Sequence, residues 1–162
     1  MRRLLLLLLT CALLPLTAVT AVASAGPPRP ALDGLRIGYL PAGVGASTDF
    51  AYDYDDVGFV SRVWESRTTT GWRFDLTVDV LRGDRLSTPR RLHDWLVDYQ
   101  DRPAGEARYV PTHVHGRPGW VSGDEVFWLV RPGLAVLVRL DTARWPHREL
   151  LRVARAVNDV SS

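Results

Sequence analysis

The sequence predicts an α+β domain in which an antiparallel sheet of five or six strands packs against two helices. Three observations lead there. Apolar residues alternate between Val57 and Gly83, the spacing changes to three and four in Ser87 to Gln100 and again from His147, and short apolar runs separated by Gly and Pro turns fill Gly119 to Asp141.

The elements follow in order. "LRIGYLP" alternates at Leu35, Ile37 and Tyr39 before Pro41 stops it, and "AGVGASTDFAYDYDD" reads as an irregular loop over residues 43 to 56. "VGFVSRVWES" and "GWRFDLTVDVLRG" form two strands joined by a polar link. In the second, Trp72, Phe74, Leu76, Val78 and Val80 point to a core while Arg73, Asp75, Thr77 and Asp79 form a wet face. Thr88 then caps a helix with Pro89 at its first position and an apolar stripe of Leu92, Trp95, Leu96 and Tyr99. "ARYVPTHVHG" is a strand that Pro111 demotes to an edge. Two or three further strands follow, the last two turning through Arg131, Pro132 and Gly133, and "HRELLRVARAVND" closes the chain as a helix with Leu150, Val153, Ala154 and Val157 on one face.

The N-terminus has a different character. Two arginines precede an apolar run from Leu4 to about Ala23, followed by small residues at Ala-x-Ala spacing, the pattern of a signal peptide. The expected organisation is a signal peptide over 1–25, a Pro-rich tail over 26–34 and one domain over 35–160. The expected location is secreted or extracellular, with no membrane span once the leader is removed. The alternative is tethering through an uncleaved leader, because about 20 apolar residues cross a bilayer.

Composition removes several chemistries. The single cysteine, Cys11, falls in the leader, so the remaining chain has neither a thiol nucleophile nor a disulfide framework. All 20 basic side chains are arginine, which excludes Schiff-base lysine chemistry. Without Arg2 and Arg3, 18 arginines face 18 acids, and the balanced charge speaks against a nucleic-acid partner.

Candidate site residues are few. His113 and His115, at i and i+2 on a strand, project from one face and could share a metal ion, although no local motif supplies a third ligand. The acidic cluster from Asp53 to Asp56, with Asp53 and Asp55 flanking Tyr54, lacks the spacing of a dedicated calcium loop. Ser122, Asp124 and His113 lie across one hairpin without any nucleophile motif around the serine. Trp120 and Trp128, with Tyr52 and Tyr54, supply ring surface of the kind used to bind protein, peptide or glycan, whereas Trp72 and Trp95 take core positions.

The run "RPGWVSGDEVFWLVRPGLAVLVRLDTARWPHRELLRVARAV" resembles the C-terminal part of small extracytoplasmic α/β domains of uncharacterised function in Gram-positive secreted proteins, lipoproteins and anti-sigma-factor-like regulators. The likeness is sharpest over Gly119 to Val157, where a glycine precedes a strand, a tryptophan-bearing strand hairpins into an apolar one, and a helix begins near Arg148-Glu149-Leu150. It implies a sensory or binding domain and carries over no catalytic residue. The lysine-free, Arg/Ala/Val-rich usage fits an actinobacterial composition.

The expected function is therefore a secreted or surface-associated, non-catalytic binding domain. It would hold an envelope or extracellular protein, peptide or glycan through the sheet face or the residue 43 to 56 loop, with no cofactor. The alternatives are a metal-dependent hydrolytic enzyme using His113 and His115, and a lipid-holding or envelope chaperone-like protein.

Overall fold

A computed structural model describes residues 31–101 and 108–160. The expected signal peptide and most of the Pro-rich tail lie outside these residues. Among the described residues nine strands run in chain order: β1 (Leu35–Ile37), β2 (Ala46–Tyr54), β3 (Val57–Thr68), β4 (Gly71–Arg82), β5 (Val110–Val114), β6 (Arg117–Val121), β7 (Glu125–Arg131), β8 (Leu134–Leu140) and β9 (Val157–Asp159). The helices are α1 (Pro89–Tyr99) and α2 (His147–Arg155), with a short 3-10 turn at Asp84–Leu86.

The main sheet has seven antiparallel strands in the order β2-β3-β4-β8-β7-β6-β5, and β1 pairs with β9 in a separate two-stranded sheet. The expectation of five or six strands on two helices is thus corrected: sheet dominates and the helices are two short ones. Two segments account for the difference. The supposed loop over residues 43 to 56 contains β2, and the last helix stops at Arg155, after which Ala156 leaves helical geometry and Val157 enters β9. β2 was hard to see because all nine of its residues are exposed, so no aliphatic stripe marks it.

Two meanders build the sheet. β2, β3 and β4 run consecutively to its centre, α1 then carries the chain over one face to the far edge, and β5 to β8 return until β8 pairs with β4. Thr88 caps α1 as expected, its hydroxyl accepting the Arg91 N–H at 3.2 Å. The helices lie on opposite faces. Leu92, Trp95 and Leu96 of α1 pack with Phe59, Leu81, Phe127 and Leu137, whereas Leu150, Val153 and Ala154 of α2 pack with Trp64, Val78, Trp128 and Val136. β3, β4, β7 and β8 thus give odd and even positions to separate cores, as period-two alternation requires.

This double cover overturns the wet face expected on β4. Asp75, Thr77 and Asp79 are buried, and Trp72, assigned to the core, is 62% exposed. A bulge between Trp64 and Glu65, opposite Phe74 to Leu76, shifts the register and separates Trp72 and Phe74 from the buried series Leu76, Val78 and Val80.

Candidate binding surface

The β2–β3 hairpin turns through Asp55 and Asp56, both at positive φ (48° and 60°), the geometry of a two-residue type I′ turn. The acidic cluster is therefore a hairpin corner. Arg85 lies 3.0 Å from Asp55 and 3.6 Å from Asp56, and the Trp95 indole N–H donates to Asp55 at 3.3 Å.

The turn sets the hydrogen-bond parity of the whole strand. Tyr54 and Val57 close it as a bonded pair, and alternation then points the backbone N–H and C=O of Tyr52, Phe50 and Thr48 at β3. Those of Asp53, Ala51, Asp49 and Ser47 point away from the sheet, where β2 has no neighbouring strand among the described residues. The opposite edge is different in kind. β5 has five residues, and Pro111 deletes one donor from it.

Along one face of β2 stand three rings, Phe50, Tyr52 and Tyr54, each between 42% and 51% exposed. Tyr52 and Tyr54 rest on a second aromatic layer. Tyr52 stacks on Phe59 with centroids 4.6 Å apart, Tyr54 meets Tyr99 edge-on at 5.0 Å, and Trp95 stacks on Tyr99 at 5.2 Å. The Tyr52 and Tyr99 hydroxyls are 3.1 Å apart, and burial together with this hydrogen bond pushes the Tyr52 phenol up. On the other face Asp49 takes two hydrogen bonds from buried Arg62, at 2.6 and 2.7 Å, which hold its carboxyl below the usual range. Asp53 lines a shallow cleft of about 280 Å³ there, with Asp33, Gly58 and Arg82.

Further along the α1 face the sheet turns polar. Asp79 is buried beside Arg139, whose Nη2 lies 3.3 Å from Oδ2, and its cross-strand neighbour Ser61 is buried as well. Burial pushes the Asp79 carboxyl up, against the opposing pull of Arg139. A raised carboxyl favours the folded state most below the unfolded value of about 3.9, and this contribution is lost as pH rises through the folded value. Asp79→Asn is therefore expected to unfold no more easily than wild type at neutral pH, with the difference between them vanishing in acid. A loss above about 1 kcal/mol at neutral pH in urea titration would show that the Arg139 pair outweighs the burial cost.

The remaining expected site residues are scattered. Trp128 is buried in the α2-side core, and Trp120, half-buried, stacks on Phe127 at 5.5 Å and leans on His93 at 5.0 Å. His113 is exposed on β5. His115 instead sits in the β5–β6 turn at φ 54°, its Nε2 3.0 Å from the Val157 carbonyl, so the shared strand direction of the two imidazoles is lost. His115 and Trp128 line a cavity of about 170 Å³ with Arg117 and Asp159. Among the described residues no three His, Cys, Asp or Glu side chains are grouped to hold a metal ion. The Ser122 hydroxyl meets Asp124 at 3.3 Å, and the Ser122 carbonyl meets His147 Nε2 at 3.0 Å. No described helix is long and apolar enough to cross a membrane.

Phe50 and the free edge escaped the sequence reading, although two signals were present. Phe50, Tyr52 and Tyr54 alternate with Asp49, Ala51 and Asp53, and an acidic pair stands where a two-residue turn needs positive φ. Comparison with known protein families, with curated proteins and with solved structures finds no match to this chain.

Proposed function

We propose that this chain is an exported, non-catalytic binding domain that takes an extended polypeptide strand onto the free edge of β2. One observation carries the reading: a nine-residue edge strand with outward backbone groups at Ser47, Asp49, Ala51 and Asp53 and a row of half-exposed rings beside them. Folded proteins ordinarily blunt such an edge with proline, charged side chains, a bulge or a covering element. β2 has no proline, its register with β3 is unbroken from Ala46 to Tyr54, and of its two acids Asp49 is paired with Arg62. Strand addition would draw affinity from main-chain hydrogen bonds and selectivity from contacts with alternate side chains. The apolar leader and the resemblance to extracytoplasmic domains support an envelope or extracellular partner.

The test is a library of extended peptides offered to sparsely tethered protein, beside a glycan array, using wild type and Ala51→Pro. Ala51 lies in a non-hydrogen-bonded pair with Val60, so proline there removes an outward donor and leaves the β2–β3 ladder intact. Wild type is expected to bind peptides, and Ala51→Pro to lose at least about tenfold in affinity, the equivalent of about 1.4 kcal/mol. Absence of peptide binding, or glycan binding indifferent to Ala51→Pro, would overturn the proposal.

A further inference from the structure

Resting on the reading of β2 as a strand acceptor, we infer that its occupant is a second copy of this chain, joined β2 to β2 about a twofold axis through Phe50. The argument is one of register. Two copies of one strand that pair antiparallel through their outward groups must match odd residues with odd, because only Ser47, Asp49, Ala51 and Asp53 direct both backbone groups outward. Phe50 is the midpoint of Ala46–Tyr54, so centring the axis there pairs all nine residues.

In this register Asp49 faces the partner's Ala51, Asp53 faces the partner's Ser47, Thr48 faces the partner's Tyr52, and the two Phe50 rings meet on the axis. No acid lies opposite an acid. The neighbouring registers allowed by the same parity are worse on charge: an axis at Asp49 sets it against the partner's Asp49, and an axis at Ala51 sets Asp49 against the partner's Asp53. Like charges directly opposite destabilise a strand pair, whereas aromatic pairs stabilise one. The Arg62 fork further reduces the charge that β2 presents along the seam. Such a dimer is isologous and closed. It joins the two seven-stranded sheets into one with both ring rows on the same side, and it leaves only the proline-bearing β5 edges at the ends.

The register has a covalent test. Phe50 falls in a non-hydrogen-bonded pair on the axis, where Cα atoms approach to about 4.5 Å, within disulfide reach. With Cys11→Ser as background, Phe50→Cys is expected to cross-link into a dimer under mild oxidation, whereas Tyr54→Cys, which faces the partner's Ala46, does not. Sedimentation is expected to give a wild-type dimer and monomers for Ala51→Pro, Phe50→Glu and Phe50→Lys. An equimolar mixture of Phe50→Glu and Phe50→Lys should recover the dimer, because opposite charges then meet on the axis. Phe50 is half-exposed, so these substitutions do not depend on core repair.

A wild-type monomer that still binds library peptides in an Ala51→Pro-sensitive way would overturn the second copy as occupant and leave the strand acceptor standing. A dimer that survives Ala51→Pro without cross-linking at position 50 would overturn the β2 interface. A monomer without peptide binding would overturn both readings.

Discussion

Asp75→Ala is expected to lower the unfolding free energy by about 3 kcal/mol, because it empties a fully buried acceptor on which three donors converge. One carboxylate oxygen accepts the Gly45 N–H at 2.9 Å and the Ser66 hydroxyl; the other accepts from Arg144. Asp75 thereby ties the segment leading into β2, the bulged part of the β3–β4 ladder and the β8–α2 connection to one group. Gly45 fits this junction for lack of a side chain, since a Cβ there would lie 2.0 Å from the Glu65 carbonyl oxygen. Alanine at position 75 leaves these donors unsatisfied, although Arg144, 29% exposed and stacked over Trp145 at 4.1 Å, keeps some contact with water.

Burial by itself would raise the Asp75 carboxyl, but the hydrogen bonds from Ser66, Gly45 and Arg144, with the Arg144 charge, outweigh it and hold the group low. For a depressed carboxylate the stabilisation is present above the unfolded value of about 3.9 and is lost as pH falls through the folded value. The gap between wild type and Asp75→Ala should therefore narrow in acid. Urea titrations at neutral pH and near pH 3 measure both effects. A neutral-pH loss below about 1 kcal/mol would mean that the three donors find other partners.

Trp128→Ala is the second large effect, with an expected loss of about 3 to 5 kcal/mol from the cavity that it opens. The indole is 1% exposed and packs among Val78, Val126, Val136 and Val153 under α2. Across the β6–β7 pair, Gly119 makes room for it: a Cβ at Gly119 would stand 2.8 Å from the Trp128 Cβ. Trp128→Phe should lose less. In a chain that remains folded at low temperature, Trp128→Ala should leave strand binding at β2 unchanged, and a selective loss of binding without loss of stability would return Trp128 to the ligand. Thermal unfolding read beside peptide affinity separates the two.

Parts of the fold were legible because the signals are local. Thr88-Pro89 with its apolar stripe marks α1, Pro132-Gly133 marks the β7–β8 turn, and Pro111 marks an edge. β2 was not legible as a buried strand because it buries none of its residues; its fingerprint is a turn and an alternation of rings with acids. The end of α2 was equally obscure. Val157 continues the helical stripe in sequence, yet it is apolar enough to serve the same core from β9, so the pattern does not distinguish the two.

What the chain by itself determined is the set of local preferences: alternation that makes strands, a capped stripe that makes α1, glycines and acids that allow hairpin corners, and a charge balance free of lysine, with Cys11 the single thiol. Tertiary structure decided what those preferences could not express. Asp75 and Asp79 read as a wet face because a carboxylate tolerates burial only when a distant cation arrives, and Arg144 and Arg139 stand 69 and 60 positions further along the chain. In the same way His115 left its neighbour for a turn, Trp128 went inside, and an unremarkable stretch around Phe50 became the open edge of the sheet, because burial and pairing depend on what the rest of the chain brings alongside.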